Sequence, residues 1–308
     1  MKLFITIPSF NEAKTLTSVI KSIPKKIKGI TSIKILVYDD GSLDKTATVA
    51  KLAGAHFIFK HKRNLGLARA YADAVAQSLK LGADILVNTD ADNQYDQKQI
   101  ADLVAPILAG EADMVIGNRQ VPKLKHMPFS KKYGNILGSL MIRLLTGTKV
   151  EDASSGFRAI TSKVAKEVNV FSSHTYTHEM LIAAHFRNFT IKEIPVIFKK
   201  RSTGGSRLIS KGVVDHILKS GSTILRAVLL YRALAVFSYL GGFLCLLGLS
   251  GLVRYFYFAI FRNDLGGHIQ SLVISSILLG IGFNIIVLGF VADLISYNRK
   301  LIEKNEMD

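Results

Sequence analysis

Two stretches of the chain carry no charge at all, and they limit the fold more than any other feature. Residues 233–253 read ALAVFSYLGGFLCLLGLSGLV, and residues 269–292 read IQSLVISSILLGIGFNIIVLGFVA. As a helix, each is long enough to cross a hydrocarbon layer of about 30 Å. Buried core helices of that length usually keep a polar stripe. These keep almost none, with Asn284 a strongly polar side chain inside the second. A two-helix membrane hairpin is therefore expected over residues 233–298. The rest of the chain has a different character. Of 308 residues, 40 are Lys or Arg and 23 are Asp or Glu, a formal net charge of +17. At 49% hydrophobic it is not a disordered chain, and with Cys245 as its single cysteine it has no disulfide framework.

Orientation follows from the flanks. The N-terminal run MKLFITIPSF is broken by Pro8, Asn11 and Glu12, so no signal peptide is expected. Arg226 and Arg232 precede the first apolar stretch, and Arg299, Lys300 and Lys304 follow the second. The loop between them holds Arg254, Arg262 and Asp264. This asymmetry predicts residues 1–207 and the tail 299–308 on the cytoplasmic side. Between the soluble part and the hairpin, residues 208–232 place Leu208, Val213, Ile217, Leu218 and Ile224 on an approximate helical stripe. That pattern suits an amphipathic helix lying at the membrane surface, with an ordinary surface helix as the alternative.

The first 117 residues alternate strand and helix patterns. Strands are expected over 4–8, 33–38, 56–60, 83–88 and 113–117, and helices over 15–23, 44–52, 67–79 and 97–109. The class is α/β, a mainly parallel sheet flanked by helices. Ligands on such sheets sit beyond the carboxyl ends of the strands, where Pro8, Asp39, Asp40, Asp90 and Asp92 fall. A dinucleotide fold would want glycines after the first strand, but Pro8-Ser9-Phe10-Asn11-Glu12 has none, and no P-loop is present. Metal-bound carboxylates would have to replace a glycine cradle for a diphosphate. Asp90 and Asp92, with Gln94 at the same spacing, offer hard oxygen ligands for Mg²⁺ or Mn²⁺.

Taken in order, Pro8-Ser9-Phe10-Asn11-Glu12, Asp39-Asp40-Gly41-Ser42, Asn64-Leu65-Gly66 and Asp90-Ala91-Asp92 resemble glycosyltransferase family 2 with the GT-A fold. Three more motifs resemble its polyprenyl-phosphate glycosyltransferases, the group of the dolichyl-phosphate mannose synthases and bacterial undecaprenyl-phosphate glucosyltransferases. They are Gly117-Asn118-Arg119, Asp152-Ala153-Ser154-Ser155-Gly156-Phe157-Arg158 and Arg201-Ser202-Thr203-Gly204-Gly205-Ser206-Arg207. The resemblance spans residues 1 to about 210. It implies that Pro8, Phe10, Glu12 and Asp39 line the nucleotide, that Asp40 supports that loop, and that Asp90, Asp92 and Gln94 hold the metal. It further implies that Arg119, Lys132, Arg201, Ser206 and Arg207 bind the phosphate of a polyprenyl phosphate acceptor. Arg207 stands where the family usually has Lys, keeping charge but not geometry.

The implied reaction moves one sugar from a nucleotide-sugar to the lipid phosphate with inversion. An anionic phosphate needs no general base, and cations would stabilise the departing diphosphate. The two-span tail favours a UDP-sugar, and GDP-mannose is also compatible. The expected partners are the donor, the lipid acceptor, the bilayer and a second copy of the chain. Nucleic acid is not expected, since a polynucleotide site would mix aromatics with its basic residues. A processive synthase would need Gln-x-x-Arg-Trp, and the chain has no Trp. A membrane-tethered basic binding protein without transferase activity would explain the charge but not the ordered acidic motifs. Lys123, Lys125, Lys199 and Lys200 suit anionic headgroups, while Lys131 joins the basic residues around the site. Residues 120–132, with Pro122 and Pro128, read as a flap over the acceptor, with a long surface loop as the alternative. Asp152 reads as structural and Glu179 as a helix-surface residue, with a sugar contact as its alternative. His174, His178 and His185 lack the Glu or Cys to complete a zinc site.

Overall fold

The computed structural model describes residues 1–168, 176–201, 213–262, 266 and 268–305. They form two units, Met1–Leu225 and Arg226–Asp308. In the first, seven strands make one sheet: β1 (Lys2–Ser9), β2 (Ser32–Asp39), β3 (Phe57–Lys60), β4 (Ile85–Asn88), β5 (Met114–Asn118), β6 (Arg158–Thr161) and β7 (Ile191–Pro195). The order across the sheet is β3-β2-β1-β4-β6-β5-β7. β1 pairs parallel with β2 and β4, β2 with β3, and β5 with β7. Only β6 is antiparallel, to β4 on one side and β5 on the other.

The central strands are apolar on both faces because both faces are covered. Leu3, Ile5 and Ile7 of β1 join Ile85 and Val87 of β4 in one buried cluster. Helices α1 (Leu16–Ser22), α2 (Thr46–Ala53) and α4 (Ile100–Leu108) supply its other wall through Leu16, Val19, Ala50, Leu103 and Val104. Phe4 and Thr6 alternate to the opposite face, where α3 (Leu67–Lys80) lies on β1 and β2. Gly54 ends α2 in the left-handed conformation at φ +99°, the usual helix stop.

Each strand and helix expected in the first 117 residues is present, with ends shifted by at most two residues except at the start of the last helix. The helix expected over 97–109 opens as a tight turn, Gln97–Gln99, capped by Asp96, before α4 begins. Residues 120–132 differ from expectation. They are not one flap, because Val121–Lys123 forms a 3-10 turn and α5 (Phe129–Thr146) starts directly after Pro128. Lys131 and Lys132 therefore sit on the first turn of a helix. Two further helices follow, α6 (Ser162–Glu167) and α7 (Thr177–Phe186). Residues 177–184 of α7 are buried all round, so Glu179 is a core residue and not on a helix surface.

The second unit is dominated by α8 (Val213–Phe261), which starts in the first unit, and α9 (Ile269–Asn305). Arg232 leaves helical geometry at φ −139° and ψ +37°, kinking α8 where the charged segment meets the apolar one. Tyr231–Phe261 and Ile269–Asn298 are long and apolar enough to cross a membrane, and little of either is buried by protein. That exposure removes the core-helix reading of these stretches. The helices touch through small residues: a Cβ on Gly248 would lie 2.9 Å from Ser275 O, and one on Gly282 would lie 2.7 Å from Cys245 Sγ. Asn284 donates its side-chain amide to Gly280 O at 2.8 Å, one turn back on its own helix.

Candidate active site

Sheet topology collects the chemistry. β1, β2, β4, β5 and β7 all run the same way, so their carboxyl ends share one edge. β6 runs against them, which brings its entrance, the loop 152–157, to that same edge. Residues far apart in sequence thus meet over one end of the sheet, as open α/β sheets require.

After β1 and β2 the chain builds a rigid cup. Asn11, in the left-handed region at φ +54°, donates its N–H to Ser42 Oγ at 2.8 Å and accepts from Leu43 N at 2.8 Å. Glu12 N donates to Thr46 Oγ1 at 2.9 Å. Pro8 is the buried penultimate residue of β1, and Phe10 follows its last residue, Ser9. Asp39 is fully buried; its Oδ1 accepts from Ser42 N at 2.8 Å, while its Oδ2 has no hydrogen-bond donor and lies 3.6 Å from Lys60 Nζ. A buried carboxylate oxygen without a donor is costly unless a ligand supplies one. Asp40 faces the other way. It accepts from Leu65 N at 2.9 Å, Gly66 N at 2.8 Å and the His61 ring at 2.7 Å. The second His61 nitrogen lies 2.9 Å from Asp73. Gly41, at φ +73°, packs so closely on the loop backbone that a Cβ would meet Asn64 N at 2.7 Å.

Beyond β4 lies the acid pair. Burial comes first, then repulsion from Asp92, and together they push the Asp90 carboxyl up to about 7 against the pull of Arg119 and Arg201. Burial also raises Asp92, with Arg201 opposing it. Gly156 is pressed against Asp90: a Cβ there would lie 3.0 Å from Asp90 Oδ1 and 3.1 Å from the Tyr176 hydroxyl. Asn88 holds this wall by donating to Gly156 O at 2.8 Å and to the Tyr176 hydroxyl at 2.7 Å. Gln94 plays a second part here, because its side-chain amide donates to Lys199 O at 3.0 Å and its backbone carbonyl accepts from Lys199 N at 2.7 Å. Gln94 thereby fastens the segment leading to Arg201.

The donor set suits a divalent cation shared with a diphosphate. Among the described residues no three His, Cys, Asp or Glu side chains group to hold a metal. Two neighbouring carboxylates that resist ionisation without a cation match the hard-oxygen ligand habit of Mg²⁺ and Mn²⁺.

Three cations approach the acid pair in different ways. Arg201 Nη2 pairs with Glu12, and its Nη1 lies 3.5 Å from Asp92 Oδ2. Arg119 is gripped from behind: Nε donates to Asp152 Oδ2 at 2.8 Å, Nη2 to Asp152 Oδ1 at 2.7 Å, and Nη2 again to Ser154 Oγ at 2.6 Å. Its guanidinium also lies over the Phe198 ring at 5.3 Å. The third is Lys131, whose pKa is lowered by burial and by Arg201, with Asp92 acting the other way. Lys132, the residue suggested by resemblance, is one step round α5 from it. Ser206, Arg207 and His174 lie outside the described residues.

Sequence reading missed the walls of the site. Fully buried Arg158 donates to Ser155 O at 2.7 Å and Thr177 O at 2.7 Å, tying the 152–157 loop to α7. Tyr176, stacked on Tyr71 with centroids 3.8 Å apart, closes the floor. Arg158 was visible as the last residue of a motif, but nothing in the sequence gave it a partner.

Comparison with known proteins agrees with this fold. The sequence model of Glycosyl transferase family 2 matches residues 4–168. The UDP-N-acetylglucosamine–dolichyl-phosphate N-acetylglucosaminyltransferase of Methanococcus voltae is 31% identical over 215 residues, covering 63% of this chain and 84% of that protein. The undecaprenyl-phosphate mannosyltransferase of Micrococcus luteus is 28% identical over 227 residues, covering 70% and 90%. A crystal structure of glucosyl-3-phosphoglycerate synthase from Mycobacterium tuberculosis, in complex with Mn²⁺, uridine diphosphate and phosphoglyceric acid, superposes with a TM-score of 0.58 at 20% identity. It covers 74% of this chain and 78% of that one, and shares the GT-A fold. With an ordered set of motifs, this sheet and a family match over more than half its length, the chain belongs to Glycosyl transferase family 2 and is a glycosyltransferase.

Proposed function

We propose that this glycosyltransferase moves a single sugar from a nucleotide-sugar to the phosphate of a membrane polyprenyl phosphate, with inversion. One observation carries the reading. Arg201 lies 3.5 Å from Asp92, and Arg119 and Lys131 are within electrostatic reach of Asp90 and Asp92 respectively, in a chain with two membrane-length apolar helices. A soluble acceptor would not call for such helices, and an anionic acceptor meeting an anionic donor needs those cations. The named acceptors of the two relatives are of this class. A UDP-sugar is the favoured donor, and GDP-mannose is the alternative.

In this scheme Pro8, Phe10, Glu12 and Asp39 receive the nucleoside, with Asp39 Oδ2 taking a donor from it. Asp40 holds the 61–66 loop in place. Asp90 and Asp92 would hold Mg²⁺ or Mn²⁺, which when bound neutralises the diphosphate. Gln94 then acts through Lys199 and Arg201. Arg201 exchanges its bonds to Glu12 and Asp92 for the acceptor phosphate, joined by Lys131 or Lys132 and by Ser206 and Arg207. Arg119, oriented by Asp152, lends charge beside Asp90. The phosphate oxygen attacks the anomeric carbon from the face opposite the leaving diphosphate, so the configuration inverts. The catalytic unit and both ends of the chain face the cytoplasm, and residues 208–232 rest on the membrane surface.

The test uses the full chain in detergent or nanodiscs with undecaprenyl phosphate, a panel of nucleotide-sugars and either Mg²⁺ or Mn²⁺. Glycolipid is read by mass spectrometry, and anomeric configuration by NMR. One donor should give a metal-dependent product of inverted configuration that Asp92→Ala abolishes. Transfer to a soluble phosphorylated acceptor and not to the lipid would overturn the acceptor assignment.

A further inference from the structure

The turn that carries Asp152, the partner of Arg119, is held from an edge strand of the sheet. β7 pairs parallel with β5 and sets Glu193 opposite Ile116, on the strand that leads into Arg119. Ile194 packs on the core cluster, so strand alternation turns Glu193 to the other face. There its two carboxylate oxygens accept from consecutive backbone groups, Oε2 from Glu151 N at 2.8 Å and Oε1 from Asp152 N at 2.9 Å. The Glu151 side chain is engaged elsewhere and accepts from Asn118 Nδ2 at 3.1 Å. Both Asp152 oxygens accept from Arg119, with Ser154 Oγ adding a bond to Oδ1 at 3.2 Å. The direction of that carboxylate is therefore set largely by the backbone behind it.

The position is an unfavourable one for an acid. Burial raises the Glu193 carboxyl, and the charges of Asp152 and Glu151 add to it, while the two backbone N–H groups work the other way. A half-buried site on an edge strand does not need a carboxylate in order to fold, so its use lies in what it holds. We propose that Glu193 is a positioning residue for transfer. By fixing the 151 and 152 N–H groups it aims the Asp152 carboxylate, and Asp152 in turn sets the Arg119 guanidinium beside Asp90. The proposal rests on Arg119 serving the transfer, as read above. Hydrogen bonds to an ionised acceptor are about twice as strong as neutral ones, which suits a residue that must hold a turn in one place. A glutamine here would keep one acceptor and turn an N–H against the second backbone N–H. The nucleotide cup is built from other residues, Asn11, Glu12, Ser42 and Thr46. The loss should thus fall on turnover and not on donor binding.

Full-length Glu193→Gln in detergent is compared with the parent by hydrogen exchange and by steady-state kinetics of transfer. Exchange of the Glu151 and Asp152 amides, read by mass spectrometry, should speed up about tenfold. The kcat should fall about tenfold, with the KM for nucleotide-sugar within about twofold of the parent. Lys192→Ala, on the same strand, removes only a surface pair with Glu111 and should change neither readout. Arg119→Lys should also lower kcat, and adding Glu193→Gln to it should lower kcat no further. Unchanged exchange, full turnover by Glu193→Gln, or additive losses in the double variant would each overturn the proposal. Parental turnover by Arg119→Lys would overturn the reading of Arg119 and this proposal with it. Impaired Arg119→Lys beside fully active Glu193→Gln would overturn this proposal alone. Should Glu193→Gln fail to fold, Glu193→Asp, which keeps the charge but draws it back, carries the same readouts.

Discussion

The clamp between Arg119 and Asp152 yields the sharpest prediction. The two side chains are 10% and 2% exposed, and they share two charge-assisted hydrogen bonds at 2.8 and 2.7 Å. Asp152 Oδ2 also accepts from Arg119 N at 3.0 Å. Asp152→Asn keeps the shape but removes the negative charge, leaving a buried guanidinium uncompensated. Breaking a buried pair from one side costs about 3–5 kcal/mol. For a unit of this size each kcal/mol lowers Tm by about 2–4 °C, so the variant should melt roughly 6–20 °C below the parent. Circular dichroism of the full chain in detergent reads it. Arg119→Met with Asp152→Leu should recover most of the loss while transfer stays abolished, which separates holding from chemistry. The pH dependence has a definite sign. Burial works to raise the Asp152 carboxyl, but the charge and hydrogen bonds of Arg119 outweigh it and lower the pKa. A depressed carboxylate contributes stability above its unfolded value of about 3.9 and loses it as pH falls through the folded one. The deficit of Asp152→Asn should therefore be constant from about pH 5 to 8 and shrink only below about pH 4. A variant melting within 2 °C of the parent, by the roughly 2–4 °C per kcal/mol scale, would refute the clamp.

Two further substitutions probe tight contacts. Gly156→Ala would set a methyl 3.0 Å from Asp90 Oδ1 and 3.1 Å from the Tyr176 hydroxyl; kcat/KM should fall about tenfold by displacing the acid pair, with little change in Tm. Gly241→Leu would drive a side chain into Gly282 O, 2.5 Å from a Cβ, at a cost of about 1–3 kcal/mol. Loosening the hairpin this way should speed labelling of Cys245, the lone thiol, by a membrane-permeant maleimide; unchanged labelling would count against the close packing.

Several features were legible in sequence because the signal is local. The uncharged runs of α8 and α9 show by themselves that each is long and apolar enough to cross a membrane. Alternation of strand and helix patterns through residue 117 set the α/β class, and Asp39, Asp90 and Asp92 at strand ends pointed to one edge of a sheet. β6 escaped notice because four residues, Arg158–Thr161, are too few to show a period. Helix α5 escaped because Gly134 and Gly138 weaken its helical pattern and its apolar side chains face away from the core.

What only tertiary structure decided is which charges meet. Arg119 and Asp152 are 33 positions apart, and Arg201 and Glu12 are 189 apart. Between Lys131 and Lys132 the sequence shows no difference, yet the fold lowers the Lys131 pKa through burial and Arg201, with Asp92 acting the other way. Periodicity and composition report what each segment must bury, and that is a property of neighbours in the chain. Pairing of charges depends on where the sheet edge gathers its loops, and the reversed direction of β6 is what brings the Asp152 loop there.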